Sequence, residues 1–459
     1  MPRELAVWLY GTDVGTLAEG RHGLSFRFAE AAYRRWGLRS PVLSLSMPVS
    51  TRPYRDSVAT PFFEGLLPEG QLRKTIAYDF RIGETDTFGL LAKIGRDCAG
   101  ALVVQPRTDG APPTATTQGA EPITSDEVAQ RIARLPVFPL GVDQRVRVSL
   151  PGMQNKLLLT KTGAGWALPT GAPSTHILKP AISQFEGSVD NEDFCMRLAR
   201  RVGLRAATTE VEHVGGMPVL VVERFDRVVL PTGSIRRVHQ EDVNQALGVD
   251  PSRKYEASGG SPLRRVASLL RDWRAPAQDL RELLQHVSFA VAVGDADHHA
   301  KNISILHDED GRIRLTPLYD VMCTRYYPSI TATPGMFVNG KRHIDEIRAD
   351  DLVAEGTAWG LPEHDAEAAV REVLDVLPEA IEAEAAASQR RPASLVTFLA
   401  ARAHALRHEA SARIADTALP EALAPRAAPA PHPSPERAWV APYRREDGTP
   451  VRGHWRRLR

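Results

Sequence analysis

Residues 294–320 read GDADHHAKNISILHDEDGRIRLTPLYD. Two apolar runs, Ile303 to Leu306 and Ile313 to Leu315, flank Asp308–Gly311, a turn signal ending in Asp-Gly, and this pattern predicts a β-hairpin. Asn302 stands just before the first run and Asp320 a few residues after the second, so the hairpin brings them together. A carboxamide oxygen beside a carboxylate suits a hard, oxygen-seeking cation such as magnesium, which takes few protein ligands and completes its sphere with water and phosphate. Asp297 lies five residues before Asn302, in the loop that ends a helical run from Leu283 to Val293. There it can accept a proton from an attacking hydroxyl.

An Asp, an Asn five residues on and a second Asp beyond a hairpin is the order of the catalytic and metal-binding loops of protein kinases. The plain alternative for each residue is a turn cap, since Asp and Asn are common in turns. The hairpin joining the three favours the functional reading. His298 and His299 invite a metal-hydrolase reading, but adjacent side chains on an extended loop point apart, and His299 is assigned with Lys301 to loop support.

Upstream, Lys179 ends the run THILKP, and a lysine closing an apolar strand needs an anionic partner, a need that ATP phosphates meet. The turn SLPGMQNK, Ser149 to Lys156, offers backbone N–H groups to phosphate, with Gly152, Gln154 and Lys156 as candidate nucleotide contacts. Glu192, at the start of a following helix, either pairs with Lys179 or answers the helix dipole. Glu223 to Asp226, ERFD, closes the last strand of this region, where an interlobe hinge and its adenine-binding backbone would fall.

The chain around these segments reads as α+β, a β-rich small lobe followed by a helical large lobe. Residues 1–107 form a small mixed domain with a first strand from Leu5 to Tyr10 and a closing strand from Ala101 to Gln105, and 108–120 a Pro-, Gly- and Thr-rich linker. Residues 121–238 carry a capping box, Thr124 with Glu127, then short strands at Val146–Leu150, Lys156–Thr160, His176–Leu178 and Val219–Glu223. Phe194, Leu198 and Val202 mark a helix that Gly203 stops. From Gln240 the helical period takes over, through Leu269 and Leu270 to one Ala- and Glu-rich segment, Ala366 to Ala387, and the large lobe spans 239–417.

Of the 459 residues 43% are hydrophobic and the net charge is +1, which gives no global affinity for nucleic acid or membrane. Cys98, Cys195 and Cys323 are too few and too scattered for a disulfide framework and read as core residues of a reducing compartment. The first apolar run is too short for a signal or a membrane span, so the expected location is cytoplasmic. Residues 418–459, Pro- and Ala-rich and then basic, are expected to be mostly disordered.

PFFEGLLPEG and GRDCAGAL in the first domain, then SLPGMQNK, THILKP, VERFDR, QEDVNQALG, KYEASGG, DHHAKN and LTPLYD, closely resemble the HipA family, the kinase toxins of bacterial toxin–antitoxin modules, over nearly the whole chain to about residue 415. The resemblance implies a two-lobed protein-kinase-like fold and a serine/threonine protein kinase using ATP and Mg2+. It makes Asp297 the catalytic base and Asn302 and Asp320 the magnesium ligands. Lys179 would contact the ATP phosphates, and Glu223 and Phe225 would present hinge backbone to adenine with Asp226 nearby. It also implies autophosphorylation at Ser149 and a translation-related target, typically an aminoacyl-tRNA synthetase. The implied partner is a small helix-turn-helix antitoxin, HipB-like, through which DNA is met indirectly. Pro151 and Met153 replace smaller residues of that loop, and the basic tail lies outside the family core. Other classes left open are a nucleotide-binding co-repressor without phosphoryl transfer and a small-molecule kinase.

Overall fold

The computed structural model describes residues 3–143, 145–388, 390 and 392–408, together with the backbone of 437–440, 443–444, 450–451 and 454–457. Residues up to Asp416 form one compact body, which begins with an N-terminal first unit of about a hundred residues, and Thr417–Arg459 form another.

The first hundred residues build an antiparallel sheet of order β3-β2-β1-β4 from β1 (Arg3–Leu9), β2 (Thr12–Gly20), β3 (Gly23–Phe28) and β4 (Val103–Pro106). Leu5, Val7 and Leu9 alternate onto the covered face, as period-two patterning requires. Helices α1 (Glu30–Trp36), α2 (Asp56–Glu64), α3 (Gly70–Asp79) and α4 (Thr87–Ile94) fill the interval between β3 and β4. Phe26, Phe62 and Phe63 are fully buried there, with the Phe26 and Phe63 rings 5.4 Å apart.

The expected linker holds short 3-10 turns and one antiparallel bridge, Thr116 to Ser234, between β4 and the next sheet. That sheet has the order β5-β7-β6-β8-β10-β9, from β5 (Glu121–Pro122), β6 (Leu157–Thr162), β7 (Gly165–Leu168), β8 (His176–Pro180), β9 (Thr209–Val214) and β10 (Met217–Glu223). Helix α5 (Ser125–Ala133) carries the Thr124–Glu127 capping box, and α6 (Ser188–Arg201) connects β8 to β9. One buried cluster runs from Leu5 through Phe63 to Leu135, Leu158 and Val221, so the first hundred residues and this sheet share a core.

Three expectations fail here. Val146–Leu150 is not a strand; it makes a single parallel bridge, Val148 to Asp97, because it runs beside the first unit rather than along the sheet. Strands β7 and β9 were not expected, since β9, Thr-Glu-Val-Glu-His-Val, is a half-exposed edge with little apolar signal. Gln240 does not open helical territory: β13 (His239–Asp242) intervenes and pairs with the hairpin.

After the hairpin of β11 (Arg227–Val229) and β12 (Ile235–Arg237), β13 joins β14 (Ser304–His307) and β15 (Ile313–Leu315) in one antiparallel sheet. β14 and β15 are the predicted hairpin, with Gly311 at φ +80° in its turn. The large lobe contains α7 (Val243–Leu247), α8 (Leu263–Asp272), α9 (Ala277–Val293), α10 (Ala349–Ala358), α11 (Glu363–Leu374), α12 (Leu377–Ala387) and α13 (Ala393–His408). Helix α9, buried along most of its length, packs against α8, α10, α11 and α13 and delivers the loop that holds Asp297. The single Ala- and Glu-rich segment proves to be two helices, broken ahead of Leu377, with Pro378 in the first turn of α12.

Cys98, Cys195 and Cys323 are buried and unpaired, as expected of core residues. Among the described residues no helix is long and apolar enough to cross a membrane. Within the tail, Arg437–Val440 pairs with His454–Arg457 and Tyr443–Arg444 with Pro450–Val451. The remainder of 418–459 lies outside the described residues.

Candidate active site

β8 lies between β6 and β10, and Lys179 sits near its end, paired across the ladder with Leu220. Its ammonium donates to Glu192 Oε1 at 2.6 Å and also to Asp320. Burial pushes the Lys179 amine down, but the carboxylates of Asp320 and Glu192 outweigh it and hold the group well protonated. Glu192 therefore serves as the lysine's partner, 5% exposed within α6, rather than as a dipole cap.

Asp320 stands at φ +59°, a left-handed position costly for a residue with a Cβ, so the surrounding structure imposes it. Burial raises its carboxyl, yet Lys179 overrides this and holds it at about 2, so it is ionised at neutral pH. Its side chain stays 44% accessible, open to a ligand from the cleft. The Tyr319 hydroxyl donates to Lys301 O at 2.8 Å and lies 2.6 Å from Ser304 Oγ, which ties the chain after β15 to the chain before β14. Asn302 Nδ2 donates to Asp297 O at 3.2 Å, which commits the amide nitrogen and leaves the carboxamide oxygen to accept. An ionised carboxylate and a carboxamide oxygen fit a hard divalent cation.

Asp297 follows the left-handed Gly294 that ends α9. Its N–H donates to Asp295 Oδ1 at 3.0 Å, and its own Oδ1 accepts from the Tyr255 hydroxyl at 2.6 Å. Partial burial raises the Asp297 carboxyl above its ordinary range, the direction that improves a carboxylate as proton acceptor. The His299 ring packs edge-on to Tyr255 at 5.1 Å, and burial lowers its pKa to about 3, so it supports the loop as a neutral group. Lys301 Nζ donates to Asp242 Oδ2 at 2.6 Å and supports the loop from beneath.

In the turn 149–156, Gly152 adopts φ +110°, and a Cβ there would come 2.8 Å from Lys156 Nζ, so only glycine fits. Lys156 Nζ donates to Pro151 O at 2.8 Å; burial, then the nearby Lys179, lower its pKa to about 8. Gln154 is half-buried in the same turn. Ser149 lies deeper than a turn-opening serine should: it is fully buried and donates to Leu66 O at 2.7 Å.

Glu223 is exposed at the end of β10, and Phe225 packs against Tyr319, ring centroids 5.5 Å apart. Asp226, expected beside the adenine, is corrected. Its carboxylate is buried and spent on Arg224 (Nε to Oδ1 3.0 Å, Nη2 to Oδ2 2.9 Å), on Gly100 N at 2.7 Å and on Gln240 Nε2 at 3.1 Å. Arg227 Nη2 donates to Asp97 Oδ1 at 2.9 Å, completing a buried network between the first unit and the hinge. A charge so desolvated persists only when paired, which explains this position and removes it from any ligand.

Sequence reasoning missed Tyr255, Lys254, Asp242, Glu69 and Tyr319. KYEASGG and PFFEGLLPEG were visible as motifs, but nothing in their spacing told which distant residues they would meet.

The β-rich lobe with its lysine–glutamate pair and the helical lobe with its loop-borne aspartates define a two-lobed, protein-kinase-like fold carrying an additional N-terminal unit. The sequence matches the HipA N-terminal domain over residues 5–105 and the HipA-like C-terminal domain over residues 148–381. This chain belongs to the HipA family of kinase toxins. It is 38% identical over 370 residues to a putative kinase, Y4mE, of Sinorhizobium fredii, covering 78% of this chain and 87% of that protein. It is 30% identical over 368 residues to the serine/threonine-protein kinase toxin HipA of Shewanella oneidensis, covering 77% and 83%. The solved Shewanella oneidensis complex of HipA, HipB and operator DNA superposes with a TM-score of 0.74 at 27% identity, over 88% of this chain and 96% of that one.

Proposed function

We propose that this chain is an ATP- and magnesium-dependent serine/threonine protein kinase, the toxin of a toxin–antitoxin module, acting on a translation protein such as an aminoacyl-tRNA synthetase and on its own Ser149. The observation that carries the reading is Lys179 held between Glu192 and Asp320, with Asp297 and Asn302 on the facing loop. In this reading Lys179 and Lys156 receive the nucleotide phosphates beneath the 149–156 turn, and the backbone of Glu223 and Phe225 meets the adenine. Asp320 and the Asn302 carboxamide oxygen hold magnesium, which when bound neutralises charge on the phosphate chain. Asp297 takes the proton of the acceptor hydroxyl as the new O–P bond forms and the bond to ADP breaks. The Tyr255 hydroxyl, now on Asp297, marks where an acceptor hydroxyl must arrive. A HipB-like antitoxin as partner is supported by the HipB-bound relative, and DNA contact then runs through that partner.

The direct test is intact-mass analysis of dephosphorylated protein after incubation with ATP and magnesium. One added phosphate mapping to Ser149 is expected; no transfer to itself or to an aminoacyl-tRNA synthetase would sink the reading. Nucleotide affinity in magnesium should exceed that in EDTA about tenfold or more, and Asp320→Ala should erase the difference. Equal affinity in both buffers for the unchanged protein would remove the metal assignment.

Lys156 supplies a pH signature. Free, it loses its proton near pH 8; beside bound phosphates it keeps it, so binding above pH 8 takes up a proton. Affinity should be flat below that pH and weaken about tenfold per unit above it. Calorimetric titration across pH 7 to 10 checks this, and Lys156→Met should flatten the profile.

A further inference from the structure

We propose that the Leu66–Gly70 turn of the N-terminal unit is a structural part of the active site: it latches the 149–156 loop closed, and its Glu69 is a positioning residue that holds Lys254 and Tyr255 against Asp297. The inference deepens the kinase reading and rests on it.

The turn is itself well anchored. Gln245 Nε2 donates to Phe62 O at 2.8 Å, and a Cβ on Gly65 would stand 2.6 Å from the Gln245 side chain, so α2 runs directly onto α7. From this anchorage two backbone groups reach the loop. Leu66 O accepts the Ser149 hydroxyl at 2.7 Å with both residues fully buried, and Glu69 N–H donates to Gly152 O at 3.1 Å. These bonds grip the loop at its first residue and at its obligatory glycine.

The Glu69 carboxylate works in the other direction. It lies 3.4 Å from Lys254 Nζ and 3.6 Å from Lys301 Nζ, a shared ionic contact to two lysines. Lys301 has Asp242 as a closer anion, whereas Lys254 pairs with Glu69. Lys254 Nζ also lies 3.7 Å from Met153 Sδ at the loop and 5.4 Å from the centre of the Tyr255 ring. The Tyr255 hydroxyl then donates to Asp297. A continuous path therefore runs from the N-terminal unit through Lys254 and Tyr255 to the proton acceptor.

The test uses the full chain as unchanged protein, Ser149→Ala, Glu69→Gln and Glu69→Asp. Hydrogen exchange of residues 150–156 without nucleotide should quicken about tenfold in Ser149→Ala, which loses one buried bond. Glu69→Gln should lower the rate of self-phosphorylation at saturating ATP by about tenfold or more, while the half-saturating ATP concentration moves less than about threefold, and Glu69→Asp should recover part of the rate. Unchanged loop exchange in Ser149→Ala overturns the latch. A Glu69→Gln rate equal to that of the unchanged protein, or a loss of rate matched by loss of ATP affinity, overturns the positioning role. If the unchanged protein transfers no phosphate, the kinase reading fails, and the exchange measurement still decides the latch.

Discussion

Asp297→Asn is expected to lower phosphate transfer about a thousandfold while nucleotide affinity stays within about threefold. The first figure is the usual scale for removing a positioned general base. The second follows from what the substitution preserves. Asparagine keeps an oxygen for the Tyr255 hydroxyl, and the bond from Asn302 Nδ2 goes to the backbone carbonyl of residue 297, which the change does not touch. Lys179, Glu192 and Asp320 meet one another without Asp297. Single-turnover transfer beside equilibrium nucleotide binding separates the two quantities. A parallel loss of both would mean that Asp297 holds the nucleotide, and the assignment of the base would fall.

The largest stability effect is expected at Asp226→Ala. The carboxylate is 1% exposed and meets Arg224 and Arg227, with Asp97 as the other carboxylate facing those two guanidinium groups. Burial raises the Asp226 carboxyl, but the two arginines overturn that and keep it ionised far below the ordinary range. Removing it strands positive charge in a dry interior, and breaking such a buried pair from one side costs about 3–5 kcal/mol. Urea unfolding should show the loss as a lower midpoint, with the slope checked for a change of mechanism. Because the network carries the hinge, ATP binding should weaken with it, although Asp226 itself faces no ligand. A variant as stable as the parent would show that Asp97 alone suffices for both arginines.

What the sequence disclosed and what it hid divide along chain distance. The hairpin of β14 and β15 was legible because its turn chemistry and alternation are local, and Tyr319 ties the chain beyond it to Lys301 before it. The capping box at Thr124 and the stop at Gly203 were legible for the same reason. Lys179 could be singled out because a cation on an apolar strand demands an anion, but not which anion: two arrived, one from α6 and one from beyond the hairpin. Glu69 and Lys254 lie 185 residues apart and Ser149 and Leu66 lie 83 apart, so no spacing rule links them. Asp226 was misread because nothing in the run ERFDR told that its carboxylate would turn onto Arg224 and Arg227, or that Gly100, 126 residues earlier, would close over it. Val146–Leu150 was misread because an apolar run needs a neighbour to become a strand, and the neighbour here is a single residue, Asp97.

The ion network around Asp97 has a consequence for how the chain is born. Asp97 leaves the ribosome long before its partner Arg227, 130 residues later. At about 5–20 residues per second that interval is roughly 6 to 26 seconds, during which the first unit carries an unmatched acidic group and an uncovered part of the shared core. The first unit therefore completes its folding on strands that do not yet exist when its own synthesis ends. Asp320 emerges later still, well beyond Arg227 in the chain. The nascent chain thus gains Asp320 after the partners of Asp97, and a chain cut between Arg227 and Asp320 carries the Asp97–Arg227 pair but lacks the second carboxylate that meets Lys179.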